Sequence, residues 1–243
     1  MIVIPMAGKS SRFFNAGYTK PKYMLEAHGK TLFEHSVNSF ENYFDSECFL
    51  FIIKDEHNTL NFVNEKIKKL GIKNYIVFSL PNDTSGQAET VAIGLESLDS
   101  KFKNVTPGLT IFNIDTIRPN FIFPSVKKAS DGYLEVFEGE GDNWSFVKAE
   151  SENSNQVIKT AEKQAISNLC STGLYYFRDI DDYLSAFYNY KAKPKENWDK
   201  GELYIAPLYN YLIEIGCDVQ YEKICRSDVI FCGVPEEYVS FSK

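Results

Sequence analysis

The chain has 243 residues, a net charge of −7 and an ordinary globular composition, with 44% hydrophobic and 24% charged residues. The length allows one large domain or two small ones, and the acidic balance argues against nucleic acid or an anionic membrane as the main partner. The five cysteines lack metal-binding spacing, which predicts reduced thiols and a cytoplasmic protein. No apolar stretch approaches the ~18 residues of a membrane span, and no signal peptide precedes the first apolar run.

The chain begins with a short apolar segment at 2–6 that breaks into a loop of small and cationic residues. Small residues let backbone N–H groups approach phosphate oxygens, and Arg12, Lys20 and Lys22 can supply the countercharge. The sequence therefore predicts a buried strand followed by an anion-binding loop, a combination typical of nucleotide chemistry. An ordinary strand-to-loop transition with solvated cations is the alternative interpretation.

The rest of the first half alternates helical and strand-like patterns. Helices are predicted at 31–43, 58–70 and 86–98, and strands at 48–53, 75–78 and 109–112. This order predicts an α/β fold with a Rossmann-like, mostly parallel central sheet and helices on both faces. Ligands of such sheets bind at the carboxyl ends of the strands, where Asp115 and the segment at 82–90 are expected.

The second half has a different character. Strands are predicted at 133–138, 144–150, 156–162, 169–177 and 218–225, helices near 179–191 and 202–215, and a short apolar segment at 229–234. No linker or internal repeat interrupts the chain. We therefore expect a single domain over 1–243, in which a smaller antiparallel lobe faces the substrate.

Several motifs follow one another in a distinctive order. Gly8-Lys9-Ser10-Ser11-Arg12 is followed by Pro21-Lys22, and later come 84–89, 113–115, Glu162-Lys163, 171–175 and 233–236. This ordered set resembles the nucleotidyltransferase superfamily, in particular the NDP-sugar pyrophosphorylases and small cytidylyltransferases. Ser10 stands where that family has a second glycine, and we expect a serine to make the same turn if its φ is negative.

The resemblance implies a reaction and a set of roles. A phosphate oxygen of the acceptor attacks the α-phosphorus of an NTP, and pyrophosphate leaves. The catalytic residues would be Arg12, which holds the β- and γ-phosphates, and Lys22, which stabilises charge on the α-phosphate and the incoming phosphate. The nucleotide-binding residues would be Ala7, Gly8, Lys9, Ser10 and Ser11 in the loop, with Gly86 and Gln87 at the base.

The resemblance also implies an acceptor site and a metal site. Glu162, Lys163, Thr172 and Gly173 would bind the acceptor. Mg²⁺ would be held by Asp115, because this ion prefers carboxylate and phosphate oxygens. Many family members have a second aspartate where this chain has Phe231, so Asp228 is the candidate for that role. Asp228 could instead be a surface turn residue, which would leave Asp115, phosphates and water to hold the metal.

The predicted function is magnesium-dependent nucleotidylyl transfer from an NTP to a phosphorylated small molecule. The compact chain resembles small cytidylyltransferases, which favours CTP and a role in capsule or lipopolysaccharide precursor synthesis. A nucleotide-sugar-dependent glycosyltransferase is the alternative enzyme, although such enzymes lack the arginine loop with Pro-Lys. A non-catalytic nucleotide-sugar sensor is the alternative outside enzymes. No nucleic-acid or membrane partner is expected, and the sequence leaves open whether the chain forms a homo-oligomer.

Overall fold

The computed structural model describes residues 1–99 and 108–243, which group into two compact units. The first unit consists of Ile2–Asp83, Phe112–Ile122 and Ser227–Lys243. The second unit consists of Met1, 84–99, 108–111 and Phe123–Arg226.

The described strands and helices follow the chain in this order. The strands are Ile2–Pro5 (β1), Glu26–Ala27 (β2), Lys30–Thr31 (β3), Cys48–Ile53 (β4), Asn74–Ser79 (β5), Leu109–Phe112 (β6), Thr116–Ile117 (β7), Gly132–Glu138 (β8), Ser145–Ala149 (β9), Val157–Glu162 (β10), Leu169–Phe177 (β11), Val219–Lys223 (β12) and Ile230–Phe231 (β13). The α-helices are Ser11–Asn15 (α1), Leu32–Asn38 (α2), Thr59–Leu70 (α3), Gln87–Glu96 (α4), Val126–Ala129 (α5), Ile180–Lys191 (α6), Tyr209–Glu214 (α7) and Pro235–Phe241 (α8).

Parallel strands form the centre of the first unit. β1 pairs with β4, and β4 pairs with β5, in parallel register. All four residues of β1 and all but the first of β4 are buried, as expected for apolar strands covered on both faces. The loop predicted to bind an anion follows the carboxyl end of β1, where ligands of parallel sheets bind.

Antiparallel strands dominate the second unit. β9 pairs with β10 and β11, and β11 pairs with β8, all antiparallel, while β12 pairs with β8 in parallel. The predicted fold class is confirmed: the chain has a mixed α/β fold with a mostly parallel central sheet and an antiparallel part. The extent of a single domain over 1–243 stays a prediction.

The prediction of a helix at 31–43 is wrong for its second half. Thr31 caps α2 in a capping box with Glu34, but the helix ends at Asn38 and a separate 3₁₀ turn covers Glu41–Tyr43. Phe40 leaves helical geometry and packs its ring at 5.0 and 4.9 Å from the rings of Phe112 and Phe121. Tertiary packing therefore overrides the helical period.

The helix predicted at 202–215 also begins later than expected. A 3₁₀ turn covers Ala206–Leu208 and leads into α7. Leu203 lies outside it because its N–H donates to the Ser85 carbonyl at 2.9 Å and its own carbonyl accepts from Ala88 N–H at 2.9 Å. No helix in the described ranges is both long and apolar enough to cross a bilayer.

Candidate active site

The loop after β1 turns at Ser10. This residue adopts φ 52, so the condition of a negative φ is not met and the serine makes the turn in the left-handed region. Its carbonyl accepts from the N–H groups of Phe13 and Phe14 at 2.9 and 3.2 Å, which closes the first turn of α1. Its hydroxyl accepts from the N–H of Lys22 at 3.2 Å. The serine side chain thus ties the loop to the Pro-Lys segment, a contact that a glycine in its place would lack.

The remaining loop residues expose their backbone and two cationic side chains to solvent. Gly8, Lys9, Ser11 and Arg12 are exposed, and Ala7 is half-buried. No protein atom lies within 4 Å of the position a Cβ on Gly8 would take. The backbone at Gly8 is therefore open to the approach of a ligand, and phosphate binding by this loop stays a prediction.

A small ion-pair network borders the loop. Lys9 Nζ lies 2.7 Å from Asp83 Oδ2, and Lys54 Nζ donates to Asp83 Oδ1. Hydrogen bonds from Lys54 and Lys9 lower the pKa of Asp83 to about 2. Lys54 also pairs with Glu56 at 3.1 Å. The sequence analysis did not identify Asp83 or Lys54, since an exposed acid and lysine 29 residues apart give no motif.

The structure brings the predicted catalytic lysine to the predicted metal ligand. Lys22 Nζ lies 2.5 Å from Asp115 Oδ2, and each side chain is 21% exposed. The two residues are 93 positions apart in the chain. Asp115 comes between β6 and β7, so the strand end carries its carboxylate as the sequence predicted.

A second carboxylate lies near Asp115. β13 pairs with β7, and the Cys232 N–H donates to the Asp115 carbonyl at 2.8 Å, which places Gly233 beside the aspartate. A Cβ on Gly233 would stand 3.1 Å from Asp115 Oδ2 and 3.6 Å from Glu237 Oε2. Glu237 Oε2 accepts from the N–H groups of Gly233 and Val234 at 2.8 and 3.2 Å.

This donor set fits a magnesium ion. The oxygens beside Gly233 are hard carboxylate ligands, and a Cβ on Gly233 would stand within 4 Å of both. The Asp115 carboxylate already has a cationic partner, the Lys22 ammonium. The sequence analysis missed Glu237, whose only local signal is an acid at the third position of a helix led by proline.

Asp228 has a different setting. It is exposed and ends the 3₁₀ turn Arg226–Asp228, and its carbonyl accepts from the Arg118 guanidinium at 2.6 Å. Phe231, at the family's aspartate position, pairs with Thr116 in the β7–β13 ladder. Within the described ranges, no cluster of three or more His, Cys, Asp or Glu side chains is arranged to hold a metal. A metal role for Asp228 stays a prediction.

The predicted base-binding segment lies at the start of α4. Gly86 precedes the helix with φ 152, and a Cβ there would stand 2.4 Å from the Leu203 carbonyl oxygen. Gln87 is the first residue of α4 and is half-buried. The glycine is therefore required by close approach of another backbone segment, whatever ligand it meets.

A buried carboxyl group occupies the predicted acceptor site. Glu162 is only 7% exposed, and its Oε2 accepts from the Ser145 hydroxyl, which lies 3.2 Å from the Tyr175 hydroxyl. Burial raises the pKa of Glu162, although the Ser145 hydrogen bond and the Lys163 charge act in the opposite direction. Ser145 was not identified from the sequence, because a serine at the start of a strand carries no motif.

The remaining predicted acceptor residues lie directly after β10 and on β11. Lys163 adopts φ 50 directly after β10, and its Nζ donates to the Tyr204 hydroxyl at 2.5 Å. Thr172 and Gly173 are buried in β11, where the pairing register with β8 shifts. The Thr172 hydroxyl donates to the Glu135 carboxylate at 2.9 Å. Such irregularities re-aim backbone groups and are frequent next to active sites.

No protein-family model matches the chain, and no curated protein sequence matches it. Among solved structures, the chain is similar to the crystal structure of the nucleoside-diphosphate-sugar pyrophosphorylase from Vibrio cholerae RC9. The two share 60% sequence identity over 99% of each chain, with a TM-score of 0.94.

More distant structures share the fold alone. A putative glucose-1-phosphate thymidylyltransferase from Bacillus anthracis, in complex with a sucrose, is 17% identical, with a TM-score of 0.77 over 99% of this chain and 93% of that one. The inositol-1-phosphate CTP transferase from T. maritima is 14% identical, with a TM-score of 0.72 over 97% of this chain and 90% of that one.

Proposed function

Because this chain belongs to the nucleoside-diphosphate-sugar pyrophosphorylase family and is a nucleotidyltransferase, we propose that it joins CTP to a phosphorylated small molecule. The contact between Lys22 and Asp115 carries this proposal. It brings a cation suited to an α-phosphate together with a carboxylate suited to a metal, beside a loop with an exposed arginine. Phosphoryl chemistry between two anions depends mainly on such charge neutralisation and positioning.

The protein's cations handle the charge of the triphosphate. A phosphate oxygen of the acceptor forms a bond to the α-phosphorus, and the bond to the β-phosphate oxygen breaks to release pyrophosphate. Arg12 is exposed and presents a forked guanidinium that can hold two phosphate oxygens at once. Lys22 stabilises the charge that develops on the α-phosphate. Gly8 leaves room for the phosphate oxygens at the backbone.

Asp115 would hold Mg²⁺, and Glu237 would add a second carboxylate oxygen directly or through water. The ion, when bound, would neutralise phosphate charge and polarise the reacting phosphorus. Asp115 orients its carboxylate through the backbone, because its carbonyl is fixed by the Cys232 N–H. Gly233 keeps the space beside the carboxylate open.

The second unit is proposed to choose the base and the acceptor. Gly86 is backed closely by the Leu203 backbone, which leaves little room to widen a slot for a purine. We therefore favour a pyrimidine, CTP ahead of UTP. Glu162 would accept a hydrogen bond from the acceptor substrate, and Ser145 would donate one to it. Lys163 would approach the phosphate of the same substrate. A cytoplasmic role in capsule or lipopolysaccharide precursor synthesis is part of the same proposal.

A substrate panel tests this function. The purified protein with Mg²⁺ is offered CTP, UTP, dTTP, ATP and GTP, each with phosphorylated sugars, polyols and amines, and pyrophosphate release is measured. We expect kcat/KM to favour CTP, by ~10⁴-fold over a base that leaves buried polar groups unpaired. A preference for ATP or GTP would contradict the choice of base but not nucleotidyl transfer. Nucleotide binding without pyrophosphate release across the panel would favour the sensor alternative.

A further inference from the structure

The side chains of Lys22 and Asp115 form a contact that differs from the arrangement nucleotidyl transfer requires. During transfer the ammonium is needed at a phosphate and the carboxylate at a metal, whereas here they hold each other at 2.5 Å. The backbone fixes both ends. The Lys22 N–H donates to Ser10 Oγ at 3.2 Å, and the Asp115 carbonyl accepts from the Cys232 N–H at 2.8 Å. The pair is therefore built into the fold.

One oxygen atom of Asp115 faces both the lysine and the space beside Gly233. Oδ2 accepts from Lys22, and Oδ2 is also the oxygen that faces the space beside Gly233, 3.1 Å from its Cβ position. Mg²⁺ binds its oxygen ligands at about 2.0–2.1 Å, so an ion on Oδ2 would lie within about 5 Å of the ammonium. Two cations that close repel each other strongly in a partly buried site. Lys22 and a divalent ion therefore compete for Oδ2.

We propose that the Lys22 ammonium occupies the metal-binding carboxylate in the nucleotide-free protein and leaves it when Asp115 takes up a divalent cation. This inference rests on the proposed function, since it takes Asp115 as the metal ligand. Once released, the Lys22 ammonium faces the phosphate groups of the substrates. The exchange keeps the charge of Lys22 balanced until the metal-bound nucleotide is present.

Binding of Mn²⁺ to the nucleotide-free protein tests this exchange without an activity assay. Lys22→Met removes the competing ammonium and keeps a side chain of similar length. We expect Mn²⁺, titrated by electron paramagnetic resonance, to bind this variant about tenfold more tightly than the wild-type protein. Lys30→Met is the matched control, because it removes the same charge from an exposed side chain of β3, outside the loop. Its Mn²⁺ affinity should change by less than about twofold, because an exposed charge is screened by salt.

The outcomes separate the exchange from the metal site itself. Equal Mn²⁺ affinities in the wild-type and Lys22→Met proteins, with binding lost in Asp115→Asn, would overturn the exchange and leave the metal site intact. Binding to Lys22→Met that survives an added Asp115→Asn would overturn Asp115 as the ligand, and with it the metal site of the proposed function. Thermal unfolding checks that each variant folds. If Lys22→Met does not fold, the titration is carried out on Lys22→Gln instead.

Discussion

The two charged clusters of the molecule are built in opposite ways. In the first unit, Lys22 and Asp115 are partly exposed and neutralise each other as full charges. In the second unit, the carboxyl of Glu162 is buried, and a serine hydroxyl is its hydrogen-bond partner. A polyanionic substrate such as the proposed nucleotide can separate an ammonium from its carboxylate partner. Partial exposure of the Lys22–Asp115 pair suits such a substrate. Neutral hydroxyl groups must be oriented by fixed partners, which suits the second cluster.

Among substitutions in the two clusters, Asp115→Asn should have the largest effect on activity. The amide keeps the shape of the side chain but loses the charge that would hold the metal, so kcat/KM should fall by about 10³-fold or more. Activity should vanish with EDTA and return with Mg²⁺ or Mn²⁺. Asp228→Asn is the matched control, since this exposed residue contacts Arg118 through its carbonyl. Losses of similar size in both variants would require Asp228 to be a second ligand.

Arg12→Ala and Lys22→Ala should each lower kcat/KM by about 10²-fold, as expected when a charged contact to the transition state is lost. Steady-state kinetics with saturating acceptor measure this effect. Lys30→Ala removes an exposed lysine of β3 and should leave turnover within about twofold of the wild-type value. Near-normal turnover in folded Arg12→Ala or Lys22→Ala protein would remove the loop from the mechanism.

Gly86→Ala should destabilise the protein rather than affect chemistry alone. The new Cβ would stand 2.4 Å from the Leu203 carbonyl oxygen, at φ 152. We expect the free energy of unfolding to fall by about 2–4 kcal/mol, from overpacking plus backbone strain. Gly141→Ala separates the two causes, because Gly141 also has a positive φ but no protein atom lies within 4 Å of its Cβ position. Urea unfolding that gives equal losses in both would show that contact with Leu203 costs nothing.

Glu162→Gln should have the smallest effect, and it should depend on pH. Burial raises the pKa of Glu162 above the ordinary value of 4.5, so the folded protein binds this proton more tightly than the unfolded chain. The stabilisation from this group is therefore fully present below pH 4.5 and is lost as pH rises through the folded pKa. Glutamine cannot ionise, so the Tm of the variant should rise relative to the Tm of the wild type as the pH increases above 4.5.

Acceptor kinetics give a second measurement on Glu162→Gln. If the carboxylate orients the acceptor, its KM should rise by about tenfold with a smaller change in kcat. Ser145→Ala removes the hydroxyl that donates to Glu162 and should move KM in the same direction. A Tm difference that stays constant across this pH range would contradict the role of burial, whereas an unchanged KM would remove Glu162 from the acceptor site.

The sequence by itself determined the longer strands and helices and identified the charged residues of the motifs. The apolar runs at β1 and β4 and the glycine at the end of α3 are local signals, so periodicity and capping chemistry were enough to find them. The motif residues Arg12, Lys22 and Asp115 were named from their order along the chain. Their placement at loop and strand ends follows from the parallel topology alone.

Tertiary structure decided the contacts that join distant segments. The end of α2 depends on where the Phe40 ring packs, and the backbone of Leu203 is held by the start of α4. The approach of Glu237 to Asp115 depends on the pairing of two short strands more than a hundred residues apart. Neither propensity nor spacing along the chain carries that information, because such contacts form only when packing closes long loops.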